Sequence, residues 1–214
     1  MKRRQGRAKS VKVKICGLTN KEDALDALHA GCDALGFIFY KRSPRYILPA
    51  RARRIIQALK GPVLRVGVFV NAREETVKRI ARTCGLDTLQ FHGKETPSFC
   101  RRFTGYKVIK AFRVRELIRP EEVCRYKTFA CLFDSHSDKR MGGTGRVFDW
   151  RLLRNVGSPE CEVFLSGGLN ERNVRAAISC AGPDWVDASS SLEVFPGKKD
   201  SRRVRSFIRR AKQR

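Results

Sequence analysis

No apolar run in this chain approaches the roughly 18 residues that a membrane-spanning helix needs, and the first ten residues lack the apolar stretch of a secretory signal. A soluble, cytoplasmic protein with no membrane partner is therefore expected. Metal signatures are missing as well. The three histidines, His29, His92 and His136, are scattered, there is no H-E-x-x-H, and the eight cysteines include no C-x-x-C. Neither a structural zinc site nor a disulfide framework is indicated. Acidic residues are scarce: 21 Asp and Glu stand against 46 Lys and Arg, a formal charge of +25. Such an excess fits polyanion binding or simply a basic surface. Much of it lies at the ends, with seven basic residues and no acid in residues 1–14, and nine basic residues against Asp200 in 198–214. Apart from Phe207 neither end carries an aromatic, so no stacking surface for single-stranded nucleic acid is built there. At most weak, non-specific nucleic-acid binding through the basic termini is expected. Val204, Phe207, Ile208 and Ala211 recur at helical spacing, which makes the last arginines the solvated face of an amphipathic helix.

What is present is a regular alternation. The 214 residues are enough for one sizeable core and short for two. The stretch VKVKICGLTN at 11–20 reads as a strand that ends at a cysteine and a glycine before a helix start. Strand side chains repeat with period two, so Lys12, Lys14 and Cys16 share one face and Val11, Val13 and Ile15 the other. That pattern suits a barrel strand with helices on its apolar face and polar work in its lumen. An edge strand with solvated lysines and an inert thiol fits it too. Further strands are expected over 33–40, 63–70, 87–91, 107–112, 129–133, 162–165 and 185–188. Helices are expected over 20–30, 49–59, 73–83, 95–103, 115–126, 149–155, 170–181 and 201–212. Eight β-then-α units imply parallel strands with right-handed crossovers and an α/β fold, a single-domain (β/α)8 TIM barrel over 11–214 behind a basic tail at 1–10. An open doubly wound sheet is the alternative, but GGTG at 142–145 lacks both the third glycine of G-x-G-x-x-G and the G-K-[ST] of a P-loop.

In a closed barrel the chemistry sits at the strands' C-terminal ends. Those ends carry Cys16, the loop Ser43 to Arg45, Asn71, Gln90 and His92, Asp134, Gly167 and Gly168, and Asp187 with Ser189 to Ser191. A thiol, a carboxylate, an arginine and an imidazole at one mouth form a catalytic inventory. Taken singly, each has a plain reading: a surface arginine, a loop histidine, a loop-capping aspartate. The glycine pair in SGGLNERNV precedes a helix start, so its bare N–H groups and the helix dipole suit an anion, and with Ser189, Ser190 and Ser191 it predicts a phosphate site.

The motifs KICGLTN, GFIFYKRSPRYI, VGVFVN, LQFHGKE, LFDS, GGTGRVFDW, LSGGLNERNV and SLEVFPGKKD, in this order, resemble those of the phosphoribosylanthranilate isomerases of tryptophan biosynthesis. The resemblance covers nearly the whole chain beyond the first ten residues. It implies a barrel enzyme that uses no cofactor and no metal and carries out an Amadori rearrangement on a small phosphorylated substrate, as a monomer or homodimer. It also implies Cys16 as general base, Asp134 as general acid and Arg45 as partner of the anthranilate carboxylate. Gly167, Gly168, Ser189 and Ser190 would hold the phosphate. Gln90, His92 and Asp187 are expected to line the substrate site. Where the family usually has S-S-G, this chain has a third serine, Ser191, either strained or adding a phosphate hydrogen bond. Leu132 and Ala130 beside Asp134 are expected to keep its carboxyl protonated, and Lys14, about 6.6 Å below Cys16, to favour the thiolate. Two rivals remain: another phosphate-binding barrel, such as indoleglycerol-phosphate synthase or ribulose-phosphate epimerase, and a nucleic-acid-binding protein on an inactive barrel.

Overall fold

The structure, a computed structural model, describes residues 10–114, 120–134, 150 and 161–213. Eight parallel strands close a barrel in chain order: β1 (Lys12–Cys16), β2 (Ala34–Ile38), β3 (Leu64–Phe69), β4 (Thr88–Phe91), β5 (Lys107–Arg113), β6 (Ala130–Asp134), β7 (Glu162–Ser166) and β8 (Trp185–Ala188). The ring is closed by β1 pairing with β8, with Lys14 opposite Asp187. Helices α1 (Lys21–His29), α2 (Pro49–Ala58), α3 (Glu74–Cys84), α4 (Pro97–Cys100), α5 (Pro120–Cys124), α6 (Val174–Ala181) and α7 (Ser201–Lys212) return the chain. The helix starts follow local chemistry. Asn20 caps α1 by accepting from the Asp23 amide at 2.9 Å, Pro49 opens α2, and Asp200 caps α7. On α7 the predicted apolar stripe of Val204, Phe207, Ile208 and Ala211 is the buried face.

The period-two pattern sorts the side chains into two cores. Val13, Ile15, Leu35, Phe69, Phe133 and Val186 point outward under the helices. Ala34, Val66, Ile109, Ala111, Ala130, Leu132, Phe164 and Trp185 fill the lumen. Near the N-terminal end Phe164 and Trp185 stack at 4.6 Å, with the Lys12 ammonium 4.8 Å from the Trp185 ring and 3.2 Å from Glu162. The bottom of the barrel is thus plugged, and open chemistry is confined to the other end.

Two expected helices differ, and one hairpin was not expected. The helix expected over 95–103 shrinks to α4 because Glu95 turns inward, accepting from the Asn71 and Gly93 amides and from Lys110 at 2.7, 2.8 and 3.0 Å, while Thr96 caps the helix before Pro97. The helix expected over 170–181 begins only at Val174, since the Asn170 side chain takes the amides of Arg172 and Asn173 into a turn of its own. Beyond β8 a short antiparallel hairpin, β9 (Glu193–Phe195) and β10 (Lys198–Lys199), follows a 3-10 turn over Ser190–Leu192. The glycine-rich segment at 142–145, the helix expected over 149–155 apart from Trp150, and tail residues 1–9 lie outside the described residues.

Candidate active site

Cys16 ends β1 with its thiol in the lumen, 6% exposed, above a fully buried Lys14. Lys14 Nζ donates to Asp187 Oδ1 at 2.9 Å. Burial alone would lower the lysine's pKa, but Asp187, and then Cys16, hold it above its ordinary value. For the thiol the balance goes the other way. Burial pushes Cys16 up, and the opposing pull of Lys14 does not cancel it, with Asp187 adding to the push. The expected helper therefore acts in the expected direction, yet it does not by itself deliver a low-pKa thiol, because burial outweighs its pull and Asp187 adds to the push. Beside the thiol lies Gly36: a Cβ there would stand 2.7 Å from Cys16 Sγ. Only a glycine at this point of β2 leaves the sulfur its space.

Across the mouth, Asp134 ends β6 with Oδ2 3.4 Å from His92 Nε2. His92 Nδ1 faces the Gln90 amide nitrogen at 3.1 Å. Asp187 links the two halves. It holds Lys14 on one side, accepts from Ser166 at 3.4 Å, and feels the charges of Asp134 and His92 on the other. Burial, the largest influence, raises its pKa against the pull of Lys14.

Arg45 meets the same mouth from the loop after β2. A Cβ on Gly17, whose φ is +78°, would stand 2.7 Å from Arg45 Cδ and 2.8 Å from Ser189 Oγ, so all three converge just past Cys16. The guanidinium is already engaged: Nε and Nη2 donate to Glu193 at 2.8 and 2.7 Å. Glu193 also accepts from the buried Lys199 at 2.8 Å, and Lys199 donates to the Ser189 carbonyl at 3.1 Å. Burial raises the Glu193 pKa, but its bonds to Arg45 and Lys199 outweigh that and hold it below the usual value. The hairpin is pinned in turn, with Thr19 donating to the Gly197 carbonyl at 2.6 Å and Lys198 pairing with Asp23 at 2.6 Å.

The loops after β7 and β8 adjoin. Gly167 and Gly168 take φ of +93° and +67°, which side-chain-bearing residues rarely adopt. They belong to the loop and not to the first turn of α6, so the dipole of that helix is more remote than its expected start implied. Ser189 Oγ is buried and has no hydrogen-bond partner among the described residues. Ser190 is exposed. Ser191 is not in the left-handed region, and its hydroxyl donates to the Leu169 carbonyl, tying the two loops together. The expected strain is absent because φ lies outside the left-handed region, and the hydroxyl donates to Leu169 in this structure. Among the described residues, no three His, Cys, Asp or Glu side chains converge as a metal site.

The sequence matches the family profile for N-(5'phosphoribosyl)anthranilate (PRA) isomerase over residues 13–210. The chain belongs to the phosphoribosylanthranilate isomerase family. It is 47% identical over 203 residues to the N-(5'-phosphoribosyl)anthranilate isomerase of Trichlorobacter lovleyi, covering 95% of this chain and 98% of that one. The crystal structure of the Thermotoga maritima phosphoribosyl anthranilate isomerase superimposes with a TM-score of 0.87 at 44% identity, over 94% of this chain and 98% of that chain. A structure of the isomerase in complex with reduced 1-(o-carboxyphenylamino)-1-deoxyribulose 5-phosphate gives 0.83 at 43%, over the same shares.

Within this isomerase chain, sequence reasoning overlooked Gly36, Glu193 and Lys199. A signal for Glu193 existed: an acid in a segment so rich in Lys and Arg, after three serines, has a charge partner to find. Gly36 offered none beyond being a glycine inside a strand.

Proposed function

We propose that Cys16 and Asp134 are the base and acid with which this chain converts N-(5-phosphoribosyl)anthranilate into 1-(2-carboxyphenylamino)-1-deoxyribulose 5-phosphate, the isomerase reaction of tryptophan biosynthesis. Asp134 gives its proton to the furanose ring oxygen. The C1–O bond breaks as the anthranilate nitrogen's lone pair forms an iminium. Cys16 thiolate then removes the proton from carbon 2, and those electrons flow to the iminium nitrogen to give an enolamine, which tautomerises to the ketone. The observation that carries this reading is the presence at one barrel mouth of Cys16 above the Lys14–Asp187 pair and, across from it, Asp134 with Oδ2 3.4 Å from His92 Nε2. Burial holds the free thiol up, so the iminium cation supplies the second positive charge, beside Lys14, that favours thiolate when it is needed.

Arg45, oriented by Glu193, offers its remaining edge to the anthranilate carboxylate. Gly167, Gly168, Ser189 and Ser190 hold the phosphate, and the unpartnered Ser189 hydroxyl supports that assignment. Ser191 shapes this loop through Leu169. Gln90 and His92 fix the Asp134 side, and Asp187 joins the two halves.

We assign the catalytic domain to residues 11–214, without residues 1–10, in a cytoplasmic monomer or homodimer. Removing residues 2–9 leaves turnover intact, and any nucleic-acid binding is weak, sequence-independent and lost steeply with salt. No helix among the described residues is long and apolar enough to cross a membrane.

The test is loss of phosphoribosylanthranilate fluorescence with the purified protein and with Cys16→Ser. Wild type consumes substrate, and the serine variant is nearly inert because a hydroxyl is far too weak an acid to supply the base. A serine variant close to wild-type turnover would remove Cys16 from this role.

A further inference from the structure

Away from the barrel mouth, Cys131 in β6 and Cys161, one residue ahead of β7, bring their sulfurs to 3.1 Å across 30 residues of sequence. Both are free thiols, and Cys131 is 2% exposed whereas Cys161 is partly exposed. The neighbouring Thr128 hydroxyl lies 3.9 Å from Cys131 Sγ. Strand β6 and the residue leading into β7 hold this pair, and from 3.1 Å the sulfurs need move only about 1 Å to reach bonding distance. The shared hydrogen bond favours ionising one partner. It lowers the pKa of Cys161 and, with burial, raises that of Cys131, leaving the more exposed thiol as the attacking one.

We propose that Cys131 and Cys161 are a redox modification site, forming a reversible disulfide with a small-molecule disulfide such as oxidised glutathione as oxidant. Cys161 thiolate attacks one glutathione sulfur, forming a mixed disulfide and releasing one glutathione thiolate. Cys131 loses its proton, attacks the Cys161 sulfur and expels the second glutathione. Two protein thiols thereby give up two electrons and two protons, and oxidised glutathione becomes two reduced molecules. The bond closes a loop that contains Asp134, and it restrains the unfolded chain.

The test treats the reduced full-length protein with excess oxidised glutathione, alkylates remaining thiols and maps the peptides. The expected result is a peptide cross-linked through Cys131 and Cys161 without retained glutathione, together with a Tm higher by roughly 5–10 °C that dithiothreitol reverses. In Cys131→Ser the reaction stops with glutathione on Cys161, and in Cys161→Ser it leaves Cys131 unmodified. Wild-type protein that keeps glutathione on Cys161 with Cys131 alkylated, or in which both thiols are alkylated, overturns the proposal.

Discussion

Replacing Lys14 by Met removes the ammonium and keeps much of its stem, so it isolates one charge at the centre of the site. Lys14 is fully buried and Asp187 is 5% exposed, with 2.9 Å between donor and acceptor. Removing one member of such a pair strands the other. The cost is about 3–5 kcal/mol, near the lower figure if Asp187, already raised by burial, takes up a proton. At about 2–4 °C per kcal/mol for a chain of this size, the Tm falls by about 6–20 °C. Because the folded pKa of Lys14 lies above its ordinary 10.5, the wild-type contribution is complete below pH 10.5 and fades only as pH climbs through the higher folded value. The thiol responds too. Lys14 is the largest influence lowering the Cys16 pKa, so its loss slows iodoacetamide alkylation at pH 7 and moves the acid limb of kcat/KM to higher pH. Pairing Lys14→Met with Asp187→Asn removes the stranded charge. Stability then recovers in part, while alkylation stays slow because the pull of Lys14 outweighs the push of Asp187. Calorimetry and alkylation kinetics on wild type and these two variants decide the matter. A Lys14→Met variant that melts within about 1 °C of wild type and alkylates at the same rate refutes the reasoning.

Glu193→Gln, which keeps the shape but loses the charge holding Arg45, raises KM roughly tenfold while kcat changes little. A lower KM would instead make Glu193 a competitor of the substrate carboxylate. In Gly36→Ala the new methyl would stand 2.7 Å from Cys16 Sγ and 3.1 Å from Cys16 Cα, so the protein folds with a displaced thiol and kcat/KM drops at least about tenfold; unchanged kinetics would show that the sulfur has room to spare. Asp200 accepts from the Arg203 and Arg202 amides, which depress its pKa, so the contribution of its charge to capping α7 is complete above the ordinary 3.8 and lost as pH falls through the lower folded value. Asp200→Ala should cost about 1 kcal/mol at pH 7, read by chemical denaturation, and less below the folded pKa, where only a neutral acceptor is lost.

The barrel was legible because its strands obey one local rule. Alternation put Lys12, Lys14 and Cys16 into the lumen and Val13 and Ile15 under the helices, and the residue types at the strand ends followed from counting along each strand. What escaped depends on partners distant in sequence. Glu193 and Arg45 are 148 residues apart, and neither announces the other. The pull of Lys14 on the thiol was visible in the strand, but the burial that outweighs it and the Asp187 carboxylate, 173 residues from Lys14, come from the rest of the barrel. Ser191 looked like either strain or a phosphate donor because the Leu169 carbonyl lies on a different loop. Helix lengths failed where a side chain bonds its neighbours' amides, as Asn170 does, since periodicity is blind to such local competition.

The acid–base assignment is tested most directly by the steady-state kinetics of Asp134→Asn, followed as loss of phosphoribosylanthranilate fluorescence. Asparagine keeps the shape against His92 but cannot give a proton to the ring oxygen. Turnover should fall by about 100-fold or more while KM changes little. A folded variant that keeps a tenth of wild-type turnover would contradict the assignment and send the search for the acid to another group at the mouth.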